Sequence, residues 1–299
     1  MRPSPYAAIA IAIVAVSFAS IFIRLSESSP LVIAAYRLMF ATVMVAPFAL
    51  ARQRRELSRL STRDILLMVA TGGVLAAHFA FWITSLKVEG VSVASSVVLV
   101  TSHPILVAVV SHLVLKERVN SVTAAGIALG LAGVTFIAVG DYGLSASTLG
   151  GDMLALGGGV MAGVYLLAGR RFRQRIPLLT YVFVVYASAA FFLVVAAFFS
   201  DGMQPAGDLW RELGLFAAMA LVSQIGGHTL YNWALRYVTA PVVSVSLVGE
   251  PIGATILAWL VLGETPGILV AFGGLAAVCG IYLTVRGQSR TNRKVAAGT

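Results

Sequence analysis

Ten long apolar runs, separated by short polar or basic stretches, account for nearly the whole chain. They lie at roughly 6–23, 31–50, 64–86, 92–115, 121–140, 149–169, 178–200, 211–235, 241–262 and 267–286. A helix needs about 20 apolar residues to cross a bilayer, and the runs have that length. Periodicity does not separate a buried helix from a buried strand, but length does. A membrane β-barrel would show alternating segments of about ten residues, and the sequence has none. The pattern predicts an all-α polytopic membrane protein with ten transmembrane helices. The first run is too long for a signal-peptide core and nine more follow it, so it reads as a retained helix.

The runs repeat. His103-Pro104 and Glu250-Pro251 each interrupt an apolar run, 147 residues apart. Glu117 and Glu264 close those runs at the same interval. Pro30-Leu31 and Pro177-Leu178 match at 147, as do Gly126 with Gly273 and Gly133 with Gly280. The period divides the chain into residues 6–140 and 149–286, five helices each. Five is odd, so the second unit enters the membrane from the opposite side. Two inverted five-helix repeats follow, with a pseudo-two-fold axis in the membrane plane. The prolines Pro104 and Pro251 are candidate hinges, because each removes a backbone donor and disturbs the preceding turn.

Composition agrees with a membrane protein. The chain is 59% hydrophobic and 11% charged, against about 25% charged in soluble domains. Its net charge of +9 sits in short loops and forms no continuous patch, which argues against nucleic acid as a partner. With a cytoplasmic N-terminus, 17 Lys and Arg fall on inner segments and 3 (Arg24, Lys87 and Arg211) on outer ones. That bias places both termini in the cytoplasm and requires an even number of helices. The carboxylates around Asp141–Asp152, and Asp201 and Asp208, read as solvated outer groups. Cys279 is the one cysteine and has no metal-ligand spacing around it. No metal or cofactor is expected. Gly157-Gly158-Gly159 lacks the Lys-Ser/Thr of a P-loop and lies in an apolar run, which argues against ATP-driven pumping.

Candidate binding residues are the polar and amphipathic groups in mid-run. His78, Trp82 and Ser85 are four and three residues apart and share a helix face. Gln224, His228 and Tyr231 repeat that spacing, with Asn232 beside them. Glu250, His103 and Tyr165 complete the set. Ionisable groups at membrane depth usually mark function, so these stripes are expected to face the bundle interior. The alternative is interhelical hydrogen bonding without ligand contact. Arg37 lies about 10 Å into the second helix. It either snorkels to the outer surface or pairs with Glu250 or a substrate carboxylate. Gly126/Gly130, Gly159/Gly163 and Gly249/Gly253 are spaced for close helix approach.

Two five-helix units, each closing in a Pro-containing helix that ends Leu-x-Glu, resemble the EamA repeats of the drug/metabolite transporter superfamily. The second copy carries the resemblance best: Gly249-Glu250-Pro251, Trp259-Leu260-Val261-Leu262-Gly263-Glu264 and Gly273-Gly274. The likeness spans roughly residues 6–286. Among bacterial members the chain is similar to the YddG-type exporters of amino acids and related metabolites. That branch has an aromatic residue before the proline of helix four, where this chain has His103. The resemblance implies a bacterial inner-membrane exporter with a central cavity between its halves and no soluble cofactor. Its partners would be a small-molecule substrate and the lipid bilayer; the sequence leaves the oligomeric state open, a monomer included. A carrier of cationic drugs or of nucleotide-type metabolites is the alternative on the same fold. A channel would want polar rings, and an intramembrane enzyme would want an acid–base motif; neither is present in the sequence.

Overall fold

The computed structural model describes residues 4–104, 120–142, 146–200, 202–238, 243, 246–247 and 249–296. The described residues form helices: α1 (Pro5–Leu25), α2 (Pro30–Arg52), the short α3 (Arg54–Ser58), α4 (Thr62–Lys87), α5 (Val93–Val100), α6 (Ser121–Tyr142), α7 (Ala146–Arg173), α8 (Leu178–Phe199), α9 (Leu209–Ala234), α10 (Gly249–Leu262) and α11 (Ile268–Ala296). Six of them, α1, α2, α4, α7, α8 and α9, are long and apolar enough to cross a membrane. The expected fourth run, 92–115, continues past Pro104 outside the described residues, and Glu117 also lies outside them.

Local chemistry sets the helix starts. Pro5 and Pro30 occupy first turns, where a missing N–H costs nothing. Ser61 accepts from the Asp64 amide at 3.1 Å and donates to its carboxylate at 2.9 Å, a reciprocal cap on α4. Ser92 caps α5 by accepting from the Ser95 amide, and Asp208 caps α9 by accepting from the Arg211 amide. Gly263 ends α10 at φ +69°, a left-handed geometry that glycine adopts without strain.

The outer surface explains the composition. Phe191, Phe198, Phe199, Trp210, Leu66 and Phe272 are all more than half exposed. On a water-soluble protein such an apolar belt would be an aggregation hazard; in a bilayer it faces lipid.

Packing follows the repeat. A shift of 147 residues carries α1 onto α7, α2 onto α8, α4 onto α9 and α6 onto α11, while α5 falls on 240–247, just before α10. In the structure α1 packs on α9 and α7 packs on α4; α1 packs on α10 and α7 on α5; α2 pairs with α8 and α6 with α11. The α6–α11 seam is made by glycine. A Cβ on Gly126 would lie 2.8 Å from the Gly280 carbonyl, and one on Gly273 2.7 Å from the Gly133 carbonyl. The two backbones touch, and any side chain there would force them apart. Gly253 likewise faces Ser17 of α1, as Gly159 faces Val100 of α5.

Two expectations change. The run 241–262 is not one uninterrupted helix: Leu247 lies in a turn and α10 starts at Gly249. Asp152 is fully buried in α7 rather than solvated in a loop.

Candidate functional site

The helix is interrupted just before each proline. After Val100 the chain turns: the Ser102 amide reaches back only to Leu99, and the Ser102 and Thr101 hydroxyls take the Leu99 and Val97 carbonyls at 2.7 Å. His103 emerges from that turn, buried. At the repeat-related place the Glu250 amide bonds the Leu247 carbonyl at 3.0 Å. Pro251 therefore sits in the first turn of α10, where a proline does not break a helix.

The third special segment is in α9. Residues Met219–Thr229 are wound as a π-helix, in which each turn is wider than in an α-helix. Thr229 shows the longer reach, its hydroxyl bonding the Gln224 carbonyl at 3.1 Å. Gly226-Gly227 let α1 approach this wider turn at Ala15 and Val16.

These elements meet around a cavity of about 50 Å³. α4 contributes His78 and Trp82, the turn after α5 contributes Thr101 and His103, and α7 contributes Tyr165. α9 contributes His228 and Tyr231, and α10 contributes Glu250. Val16, Val100, Ala162, Leu166 and Leu247 supply apolar wall. The imidazole of His78 donates from Nδ1 to the Gly158 carbonyl at 2.9 Å and stacks on Trp82 at 6.0 Å between centroids. His228 packs 6.2 Å from His78 and 6.3 Å from Tyr165. Trp82 Nε1 and the Tyr231 hydroxyl have no hydrogen-bond partner among the described residues. Glu250 is the one carboxylate on the described lining, and it is partly exposed.

Seven of the ten expected binding residues thus line one cavity: His78, Trp82, His103, Tyr165, His228, Tyr231 and Glu250. Gln224, Asn232 and Arg37 do not. They form a polar layer behind it. Arg37 is fully buried, which excludes snorkelling. Its Nε donates to Gln224 Oε1 at 2.9 Å, and its guanidinium lies 4.1 Å above the Phe79 ring. Phe79 in turn packs 5.3 Å from His228, between Arg37 and the cavity. No ion pair joins Arg37 to Glu250 among the described residues, and Arg37 Nη1 and Nη2 have no hydrogen-bond partner there. Asn232 donates to the Tyr165 hydroxyl at 2.6 Å and the His228 carbonyl at 2.8 Å. Tyr186 pairs with Thr229 at 2.9 Å.

Polar clasps flank the cavity at both ends. At one end Arg24 pairs with Glu264 at 3.4 Å and bonds the Val91 carbonyl, while Glu264 accepts from the Val93 amide at 3.0 Å. Beside it the buried Glu212 accepts from Ser26, Ser28 and the Glu27 amide. At the other end Arg173 donates to the Asn232 carbonyl at 3.0 Å and Arg170 to the Leu235 and Val238 carbonyls. The sequence marks Arg24 and Arg170 only as loop charges. Glu212 carries no signal beyond being acidic near a helix start.

The arrangement defines a polytopic helical membrane protein whose two halves both supply side chains to one internal cavity. The EamA-like transporter family matches residues 4–139 and again 149–286, and the chain belongs to that family. It is 26% identical over 276 residues to an uncharacterized transporter of Archaeoglobus fulgidus, covering 91% of this chain and 93% of that one. It is 27% identical to the uncharacterized transporter YdfC of Bacillus subtilis, covering 93% and 89%. It is 26% identical over 215 residues to the aromatic amino acid exporter YddG of Ancylobacter novellus, covering 71% of each. A solved crystal structure superposes with a TM-score of 0.65 over 97% of this chain and 99% of that one, at 19% identity, a likeness of fold.

Proposed function

We propose that this chain is a secondary active transporter that exports amino acids or similar small metabolites across the bacterial inner membrane by alternating access. The reading takes ten membrane spans as two inverted five-helix repeats, 6–140 and 149–286, with both termini cytoplasmic. The exchange of packing partners under the 147-residue shift supports it.

One observation carries the proposal: both halves deliver polar and aromatic side chains to one cavity, with a buried, incompletely bonded guanidinium directly behind it. A zwitterion matches those charges. Its ammonium would meet Glu250, its side chain would rest on Trp82, Tyr165 or Tyr231, and its carboxylate would lie toward Arg37. Few polar groups fix orientation while apolar walls accept varied side chains. The relative named as an aromatic amino acid exporter supports this substrate class. A cavity of about 50 Å³ holds a few waters and no amino acid. The described form is then a contracted one, and loading requires the halves to part, with the breaks before Pro104 and Pro251 as hinges. Replacing both prolines with Ala should slow exchange without unfolding the chain; unchanged flux removes the hinge role.

A second reading, export of cationic compounds, rests on Glu250 alone, and the nearby Arg37 opposes it. Proteoliposomes decide between them. Saturable counterflow of amino acids, unmatched by their decarboxylated amines, is the expected result; flux of amines alone overturns the amino-acid assignment.

A further inference from the structure

A groove of about 740 Å³ opens on the surface of the molecule between the start of α4 and the end of α7, on a different face of α7 from Tyr165 and Leu166 of the aromatic cavity. Its two walls have the same polarity. On α4, Arg63, Leu67 and Thr71 follow at four-residue steps and share one face. On α7, Val164, Leu167, Ala168 and Arg171 are spaced three and four apart and also share a face, and Arg175 follows the helix end. All the charge is at one end: three guanidinium groups, from Arg63, Arg171 and Arg175, against the carboxylate of Asp64, a net of two positive charges. Below that rim Leu67, Val164 and Leu167 are 45%, 46% and 54% exposed.

The rim is held in place. Arg175 bridges to both carboxylate oxygens of Asp64, through Nη1 at 3.0 Å and also through Nη2, and its guanidinium lies 5.5 Å from the Phe172 ring. Asp64 is fixed by its cap on Ser61. Arg63 and Arg171 are exposed and take part in no ion pair among the described residues.

We propose that this groove is a binding site for an anionic phospholipid of the surrounding bilayer. The phosphodiester would sit between Arg63 and Arg171, where planar guanidinium donors match phosphate oxygens. One acyl chain would run along the Leu67 and Val164–Leu167 stripe toward Thr71, about 12 Å from the rim at 1.5 Å per residue. Charge and apolar surface are separated along the helix axis, as head and tail are in a lipid. A soluble phosphate would use only the rim, and a zwitterionic headgroup such as phosphocholine would bring its own ammonium against the net positive rim. Basic pockets between membrane helices are suited to anionic headgroups.

Native mass spectrometry of the full chain in mild detergent tests the site, with phosphatidylglycerol, phosphatidylcholine and glycerol 3-phosphate as separate probes. Phosphatidylglycerol is expected to stay bound when phosphatidylcholine and glycerol 3-phosphate have been lost. Arg63→Gln and Arg171→Gln should each weaken phosphatidylglycerol about fivefold. Arg54→Gln, on the exposed α3, should not. Asp64→Asn should tighten it, because it removes the opposing charge and releases Arg175. Equal retention of phosphatidylcholine, equal binding of glycerol 3-phosphate, or undiminished binding by the Arg63→Gln/Arg171→Gln double variant would each overturn the proposal. Should the double variant fail to fold, the three-probe comparison on the unaltered protein still decides.

Discussion

Arg24 and Arg170 make the same contact at opposite ends of the molecule. Arg24 closes α1 and bonds the Val91 carbonyl; Arg170 lies in the last turn of α7 and bonds the Val238 carbonyl at 3.2 Å. The two acceptors are 147 residues apart, the period of the repeat. The ends are opposite because α7 runs antiparallel to α4: Gly151 lies against Val88 and Val91, and Arg175 pairs with Asp64. Each end of the bundle is thus fastened by an arginine from the first helix of a different half.

Glu264 is the part of the first clasp that can be removed with least damage. Its pair with Arg24 is partly exposed, so Glu264→Gln should lower stability by less than about 1 kcal/mol. It should nonetheless favour opening at that end. The measurement is labelling of Thr101→Cys in a Cys279→Ser background by a membrane-impermeant maleimide. Faster labelling in the Glu264→Gln variant is expected; an unchanged rate would show that the pair does not gate the cavity.

Glu250→Gln keeps shape and removes charge. If the carboxylate receives a substrate ammonium, the lost charge-assisted hydrogen bond should weaken transport about 10–100-fold, while folding and insertion are retained. Wild-type rates across pH 5–8 would make Glu250 a packing residue and remove the central element of the proposed site.

Arg37 separates stability from function. An uncompensated buried charge is costly, but losing it also leaves the buried Gln224 Oε1 without its donor; the two effects oppose, so Arg37→Met should shift the melting temperature little. Transport of amino acids should fall steeply in the same variant. Arg37→Lys should not rescue it, since lysine reproduces neither the Gln224 bond from Nε nor the flat contact with Phe79. Full activity of the lysine variant would show that a positive charge alone is enough.

The glycine seam gives a prediction with a control inside the same protein. Gly126→Ala meets backbone of α11 and should cost about 1–3 kcal/mol. Gly214→Ala, where nothing lies within 4 Å, should be neutral or slightly stabilising, since Ala is the better helix former. Equal melting temperatures for the two variants would mean that α6 and α11 do not pack as described.

Most helix positions among the described residues, and the doubled unit that the family matches twice, were legible because hydrophobic length and a fixed offset are properties of sequence alone. The stripes on α4 and α9 led to the cavity for a similar reason: residues four and three apart must share a face. Their depth was not legible. Gln224 and Asn232 belong to the same stripe as His228, yet the π-helical turn directs Gln224 to Arg37, and Asn232 turns to Tyr165. Nothing in the residue pattern announces that extra width apart from Gly226-Gly227. Phe79 was invisible because an aromatic residue in an apolar run reads as core; its place between Arg37 and His228 depends on two other helices. Asp152 and Glu212 lie near the ends of expected spans, where a carboxylate reads as solvated, but tertiary packing buried both.

The burial of Arg37 has an electrical consequence. A carrier that opens alternately to two solutions must stay an insulator when it is empty. Glu250 by itself would make the cavity a resting place for potassium or hydronium. A guanidinium behind the wall raises the energy of any monovalent cation there, on the scale of about 1.7 kcal/mol for two unit charges roughly 10 Å apart at an effective dielectric of about 20, and a zwitterion carries its own compensating charge. Arg37 would then protect the membrane potential as well as receive a carboxylate. Liposomes bearing the Arg37→Gln variant should lose a potassium diffusion potential faster than those bearing the unaltered protein, and equal decay would leave Arg37 with no part in the seal.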